Sequence, residues 1–283
     1  TQLLCAGSTC EEELLSTWNP VESGTELALT DVAFVDINHA WVSGDKGLIL
    51  FSTDGGLTWG RRNTGVEARL LSVSFFGVDD GVAVGENGTI LMTTDGGMTW
   101  QRSVSPTSLR LNAVAFAEDG TAWAVGDEGT MVRSKDGGVT WTQLGFQIPL
   151  TSALRAVSFD GAFGAAVGAD GAVLTTADNG DSWGRQEILD SDDGSASSQK
   201  VTTTRPLNGL TVKVSESGDL SAWATSDEQV WQWGLLGGDL GVSPRSGVPI
   251  FKMVKTGLRN SAILAVVAVV AVFSVGQMIE GMV

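Results

Sequence analysis

Four carboxylates return at one place in a repeated phrase, and they are the residues of this chain best placed to do chemistry. Asp54, Asp95, Asp136 and Asp178 each follow a Ser or Thr by two positions and precede a Thr or Ser by four. The phrases read Ser52-Thr53-Asp54-Gly55-Gly56-Leu57-Thr58-Trp59, Thr93-Thr94-Asp95-Gly96-Gly97-Met98-Thr99-Trp100 and Ser134-Lys135-Asp136-Gly137-Gly138-Val139-Thr140-Trp141. A worn copy follows at Thr176-Ala177-Asp178-Asn179-Gly180-Asp181-Ser182-Trp183. Repeated carboxylates suit metal ligation, proton transfer or the locking of a turn, and here the turn is the better reading. A short carboxylate accepts backbone N–H groups just ahead of it and fixes a turn without a ligand. The paired glycines supply positive φ, while Thr and Trp restart an extended segment. An indole of that size suits the gap between packed sheets. Asp54, Gly56, Trp59, Asp95, Gly97, Trp100, Asp136, Gly138, Trp141, Asp178, Gly180 and Trp183 are therefore expected to be architecture. No catalytic residue, metal ligand or cofactor is expected.

The remaining chemistry is sparse. His39 is the single histidine, so a multi-histidine metal site is excluded within this chain, and Asp36-Ile37-Asn38-His39-Ala40 reads as a turn. The net charge of −16 argues against nucleic-acid binding and suits partners that carry Lys/Arg patches. Cys5 and Cys10 allow either a small disulfide loop or two reduced thiols, and their spacing is not that of a zinc pair. Asp190, Asp192 and Asp193 match no known calcium-loop spacing and read as a solvated loop. Arg61, Arg102 and Arg185, with Gln143, fall two places past the repeated Trp and read as surface residues. Arg69, Arg110 and Arg155 lie near the starts of predicted inner strands. They are the candidates for gripping a partner's carboxylates, which Arg binds in a bidentate way.

The elements that must position these residues follow from the repeat. Trp59, Trp100, Trp141 and Trp183 stand 41, 41 and 42 residues apart. A fixed period near 40 with several short strands per unit is the signature of propeller blades. Each unit reads as an inner strand, a second strand, a third strand, the turn phrase and a fourth strand. Val32, Val73, Val114 and Val157 hold the register of the inner strands. A second motif, Val-Gly-x-x-Gly at 84–88, 125–129 and 167–171, reads as another hairpin turn. It is weak evidence for phosphate binding, because no helix follows it.

Blades are placed at about 25–62, 66–103, 107–144 and 150–187, after an N-terminal extension at 1–12. A Ser/Thr/Asp-rich insertion covers 190–206. The pattern resumes faintly at 207–233, where the fourth strand is missing. Trp18 lies 41 residues before Trp59, so residues 13–18 are expected to supply that strand and close the ring. The fold class is thus all-β: a propeller of about five four-stranded blades over 13–233, closed by the N-terminal strand. A linker follows at 234–260. Residues 262–279 are almost wholly apolar and about 27 Å long as a helix, so 261–280 is expected to be one transmembrane helix in the lipid bilayer.

The compound unit, V-x-F then A-W-A-V-G then S-x-D-G-G-x-T-W, resembles the photosystem II stability and assembly factor family of plants and cyanobacteria. Its turn phrase is the Asp-box, or BNR repeat, also seen in sialidases and sortilin-type receptors. The likeness covers 29–185 well and 207–233 faintly. It implies a lumenal propeller that holds photosystem components during assembly. The chain departs from the family in having fewer than seven blades and an apolar tail. Those departures suggest a scaffold, assembly or stabilising subunit bound to photosystem membrane subunits through the transmembrane helix and a propeller face, without catalysis. A sialidase-like hydrolase is the alternative, yet that mechanism uses a tyrosine nucleophile and the chain has no tyrosine. A single-span receptor-like propeller is another, and its ectodomain would usually carry more disulfides. Lys252, Lys255 and Arg259 before the apolar run favour a stromal propeller by the positive-inside rule. Acidity, the cysteine pair and the family favour the thylakoid lumen, which is the expectation kept.

Overall fold

The computed structural model describes residues 2–6, 9–13, 20–145, 152–186, 206–214, 220–226 and 230–234. Strands β1 (Gln2–Ala6) and β2 (Thr9–Glu13) form a hairpin that sets Cys5 directly opposite Cys10. Glu13 pairs with Gln2 there, and residues 14–18 lie outside those described.

Four sheets of four strands follow, each an antiparallel meander in chain order. The first holds β3 (Leu29–Phe34), β4 (Ala40–Gly44), β5 (Ile49–Ser52) and β6 (Gly60–Arg62). The second holds β7 (Leu70–Phe76), β8 (Asp80–Gly85), β9 (Ile90–Thr93) and β10 (Gln101–Arg102). The third holds β11 (Leu111–Phe116), β12 (Ala122–Gly126), β13 (Met131–Ser134) and β14 (Thr142–Gln143). The fourth holds β15 (Leu154–Asp160), β16 (Phe163–Gly168), β17 (Val173–Thr176) and β18 (Gly184–Gln186). A fifth sheet has three described strands, β19 (Gly209–Val214), β20 (Leu220–Thr225) and β21 (Val230–Gly234).

The opening strands of successive sheets lie side by side: β3 on β7, β7 on β11, β11 on β15, β15 on β19. That is the radial order of a propeller, with one strand of each blade innermost. Each of the first four inner strands carries a register shift one residue in, at Thr30, Leu71, Asn112 and Arg155. A bulge frees the side chain at that place from the ladder. Thr30 uses it to donate its hydroxyl to the Leu70 carbonyl of the next blade at 2.7 Å, and Asn112 donates to the Leu154 carbonyl at 2.8 Å.

The third strands, expected from the sequence at 48, 89, 130 and 172, start one residue later at Ile49, Ile90, Met131 and Val173, because the N–H of the preceding residue closes a 3-10 turn instead of joining the ladder. The fourth strands, expected from 58, 99, 140 and 182, start after the repeated Trp, because the N–H of Thr58 and its equivalents is taken by the box carboxylate.

The core lies between blades. Trp41 and Ile49 of the first blade pack with Leu70, Val73, Leu91 and Trp100 of the second. Val82, Val84, Ile90 and Met92 of the second pack with Leu111, Val114, Val132 and Trp141 of the third. Trp123, Val125 and Met131 pack with Leu154, Val157 and Leu174 of the fourth, and Val167 and Val173 with Leu207 and Ala224 of the fifth. Burying a Leu or Val side chain contributes about 1.5–3 kcal/mol, so these seams set the stability of the array. Among the described residues no helix is long and apolar enough to cross a membrane. The apolar run at 262–279, the linker from 235 on and residues 190–205 of the insertion lie outside the described residues, while Gly234, read as the start of the linker, ends β21.

Candidate functional site

The four box carboxylates are occupied by their own turns. Asp54 accepts the Ser52 hydroxyl at 2.7 Å, the Thr58 N–H at 2.9 Å and the Thr58 hydroxyl at 2.6 Å. The same three bonds recur at Asp95 with Thr93 and Thr99, at Asp136 with Ser134 and Thr140, and at Asp178 with Thr176 and Ser182. The leading Ser or Thr also accepts the N–H of the second glycine position, as Ser52 does from Gly56 at 2.8 Å. The Thr58 hydroxyl, then its N–H and the Ser52 hydroxyl, hold the Asp54 carboxyl down to about 2. Thr99 and Thr140 hydroxyls are the leading cause of the same lowering at Asp95 and Asp136. Hydrogen bonds to the charged form favour it. A carboxylate so held is a poor base and has no proton to give near neutral pH.

The box does a second job that its sequence did not announce. Its second glycine position receives a side chain from the second strand of the preceding blade. Trp41 donates its indole N–H to the Gly96 carbonyl at 3.1 Å, stacks on Phe75 at 3.8 Å between centroids, and lies over Gly97. Trp123 donates to the Asn179 carbonyl at 2.9 Å and lies over Gly180, with Trp183 edge-on to it. Val82 holds the same place over Gly138. A side chain at Gly97 or Gly138 would invade that neighbour, and both have positive φ. The signal was present in Ala40-Trp41-Val42 and Ala122-Trp123-Ala124, but spacing alone does not show what an indole touches.

Trp100, Trp141 and Trp183 enter the seams between blades, as expected, and Trp59 packs with Val42, Leu48 and Leu50 of its own blade. His39 sits in the turn between β3 and β4, with Nδ1 2.8 Å from a carboxylate oxygen of Asp36. That contact and the N–H groups of Asn38 and His39 pull the Asp36 carboxyl down to about 2. No hydroxyl nucleophile joins the pair among the described residues. Among those residues, too, no three His, Cys, Asp or Glu side chains are grouped to hold a metal ion.

The three candidate arginines are all exposed but not equivalent. Arg69 and Arg110 immediately precede β7 and β11, and their carbonyls accept the N–H groups of Glu86 and Asp127. Arg69 pairs with Asp45 at 2.9 Å across the seam between the first two blades. Arg110 makes no side-chain hydrogen bond or ion pair to a described residue, so its guanidinium is free toward solvent. Arg155 occupies the bulge one place further along, and it donates to Asn208 at the start of the fifth blade. Arg133 and Lys135 share Asp181 of the next blade at 3.1 and 2.9 Å, an exposed pairing the sequence did not single out.

Radially stacked four-stranded sheets with a hydrogen-bonded Asp-box in each of four define an Asp-box β-propeller. The family model for photosynthesis system II assembly factor YCF48 matches residues 10–109 and 105–209, and the chain belongs to that family. Among solved structures it is similar to a YCF48 bound to a D1 peptide, at 24% identity and a TM-score of 0.55, covering 76% of this chain and 69% of that one. It is also similar to YCF48 from Cyanidioschyzon merolae, at 22% identity and a TM-score of 0.54, over 82% of this chain and 77% of that one. An ancestral GH74 enzyme matches at 14% identity and a TM-score of 0.54, over 72% of this chain and 30% of its own. No curated protein matches the chain. These structural likenesses speak for the fold.

Proposed function

We propose that this chain is a non-catalytic propeller that assembles or stabilises photosystem II by holding one of its polypeptides, anchored in the thylakoid membrane by residues 261–280. Membership of the YCF48 family carries the reading. The box carboxylates support it, since all four are committed to their own turns. The D1 peptide on a similar propeller supports an extended polypeptide as the partner class. Exposed arginines in a chain of net charge −16 are the natural grips for carboxylates of that partner, with Arg110 the freest and Arg69 and Arg155 beside it in the candidate set. The reading puts the propeller in the lumen as a closed ring of about five blades, a compartment that would allow a disulfide between Cys5 and Cys10.

Affinity capture from gently solubilised thylakoid membranes tests the reading. Photosystem II subunits are expected to come down with the full chain, and Arg110→Glu is expected to lower their recovery by about tenfold, equivalent to ~1.4 kcal/mol. Recovery of free protein with glycosidase activity would overturn it. Protease added to intact thylakoids should spare the propeller, and digestion without lysis would refute the lumenal placement.

A further inference from the structure

We infer that the box end of the first three blades is a second docking surface, fitted to a polypeptide segment that carries apolar side chains among lysines and arginines. It goes beyond the reading above and uses the opposite end of the propeller from the candidate arginines.

Hydrogen bonds between turns set the two ends. The Gly55 N–H donates to the Asn38 carbonyl, that of Gly96 to Asp79 and that of Asn179 to Ala162, each at 2.9 Å. A box therefore lies beside the turn that joins the first and second strands of its own blade. At the other end, the Arg69 and Arg110 carbonyls accept the N–H groups of Glu86 and Asp127, which open the turns between second and third strands.

The box tip is apolar three times running and faces water each time. Leu57, Met98 and Val139 stand between the second glycine and the Thr of successive boxes, and they are 73%, 67% and 54% exposed. The turn does not need these side chains. Its bonds run among positions 52, 54, 56 and 58 and their equivalents. Nor does the fold bury them, so a Ser or Lys at the tip would serve the propeller as well. Apolar neighbours extend the surface. Ile37 and Val78, in the adjoining turns of the first and second blades, are 86% and 42% exposed. Val104, 86% exposed, bridges to Thr140 beside Val139. A lone exposed Leu or Val is ordinary. Apolar side chains gathered at one end of three adjacent blades mark an interaction site. The surface stops at the fourth blade, whose tip is Asp181, tied to Arg133 and Lys135 of the third.

Charge selects the occupant. Asp36, Asp79, Glu118 and Asp119 are exposed in the turns at this end, beside the box carboxylates. Asp79 and Glu118 have no side-chain partner among the described residues. Lys135 is the one Lys or Arg among the described residues of these turns, and Asp181 holds it at 2.9 Å. Anionic lipid headgroups would be repelled from such a surface, and so would the same end of a second copy. A segment with Lys or Arg flanking Leu-like side chains fits it in both respects: the apolar groups cover the tips, and the cations stand over the acidic rim.

The test immobilises the full chain and measures retention of a labelled synthetic peptide in which Leu alternates with Lys, at about 0.15 M salt so that remote charges are screened. Leu57→Ser combined with Met98→Ser should lower retention by at least about tenfold, with net charge and Tm unchanged. Asp79→Asn combined with Glu118→Gln should lower it by about threefold or more and reduce its salt dependence. These variants keep the tail of the unsubstituted chain, so the differences read the turns alone. A peptide with Ser in place of Leu should be retained far less; equal retention of the two would reduce the surface to bulk charge and overturn the proposal. So would retention indifferent to Leu57→Ser with Met98→Ser. Self-association of the chain that the same substitutions abolish would assign the surface to a second copy and overturn it as well. No photosystem polypeptide enters the assay, so it succeeds or fails independently of the capture described above.

Discussion

Adjacent glycines of one box should respond very differently to the same added methyl group. Gly137 and Gly138 both have positive φ, +70 and +96. Alanine in the left-handed region costs roughly 1–2 kcal/mol at either place. At Gly137 nothing lies within 4 Å of the new Cβ, so that is the whole cost. At Gly138 the Cβ would stand 2.7 Å from Val82 Cγ2 and 3.2 Å from Met92 Cβ, both packed in the second seam. The turn has little room to back away, because the Gly138 carbonyl accepts both the Ser103 hydroxyl and the Trp141 indole N–H. Overpacking of this kind adds roughly 1–3 kcal/mol. Gly137→Ala is therefore expected to cost about 1 kcal/mol and Gly138→Ala about 3 kcal/mol. In a domain of this size each kcal/mol moves Tm by about 2–4 °C, so the variants should fall by about 2–4 °C and about 6–12 °C. Thermal melts followed by far-UV circular dichroism read both. Val82→Ala should rescue part of the Gly138→Ala loss, a coupling of about 1 kcal/mol that neither site shows alone. Equal costs at the two glycines, or no rescue, would refute the view that the box packs into the preceding blade.

Three further outcomes follow from the same geometry. Trp41→Phe removes the indole N–H from the Gly96 carbonyl and should cost about 1 kcal/mol beyond its lost area. Trp100→Phe should cost less, since its buried Nε1 has no partner, and urea midpoints of the pair would show a reversed order if the hydrogen bond were idle. Asp54, Asp95 and Asp136 are held below their unfolded values, so their stabilisation is complete above those values and is lost as pH falls through the folded ones, about 2 for Asp54. The urea midpoint should be flat from about pH 7 to 5 and fall below about pH 4, and the fall should shrink in the combined Asp→Asn variant; a wild-type midpoint unchanged down to about pH 2.5 would contradict the bonding described.

How much of this was legible in the chain depends on the kind of contact. The turn was legible because every group it needs lies within eight residues: a hydroxyl, a carboxylate, a Gly and a second hydroxyl. The four strands per blade were legible for the same reason, and the starts of the third and fourth strands slipped where a single N–H had a better acceptor than the ladder. The seam was legible only in part: the box indoles were expected in it, but the side chains they and the box glycines meet were not. A repeat shows which residues are equivalent, and it does not show which are adjacent. Trp41 meets Gly96 and Gly97 at a separation near 55, which is no multiple of the 41-residue period.

The same distinction explains why the candidate grips resisted the sequence. Arg69, Arg110 and Arg155 look alike as charges near inner strands, yet Arg155 sits one register place further and spends its guanidinium on Asn208. Bulge positions are read one blade at a time: Thr30 and Asn112 tie down the next blade's backbone, and Leu71 has no such group. The repeated box carboxylates are consumed by their own turns. Arg110 does not repeat: its equivalents are Ala28, Arg69 and Ala153, and Arg69 is paired. If Arg110→Glu weakens partner capture while Arg69→Glu leaves it unchanged, recognition lies in the unpaired, non-repeating charge. Equal losses at both would instead place it in a ring of arginines that the blades share.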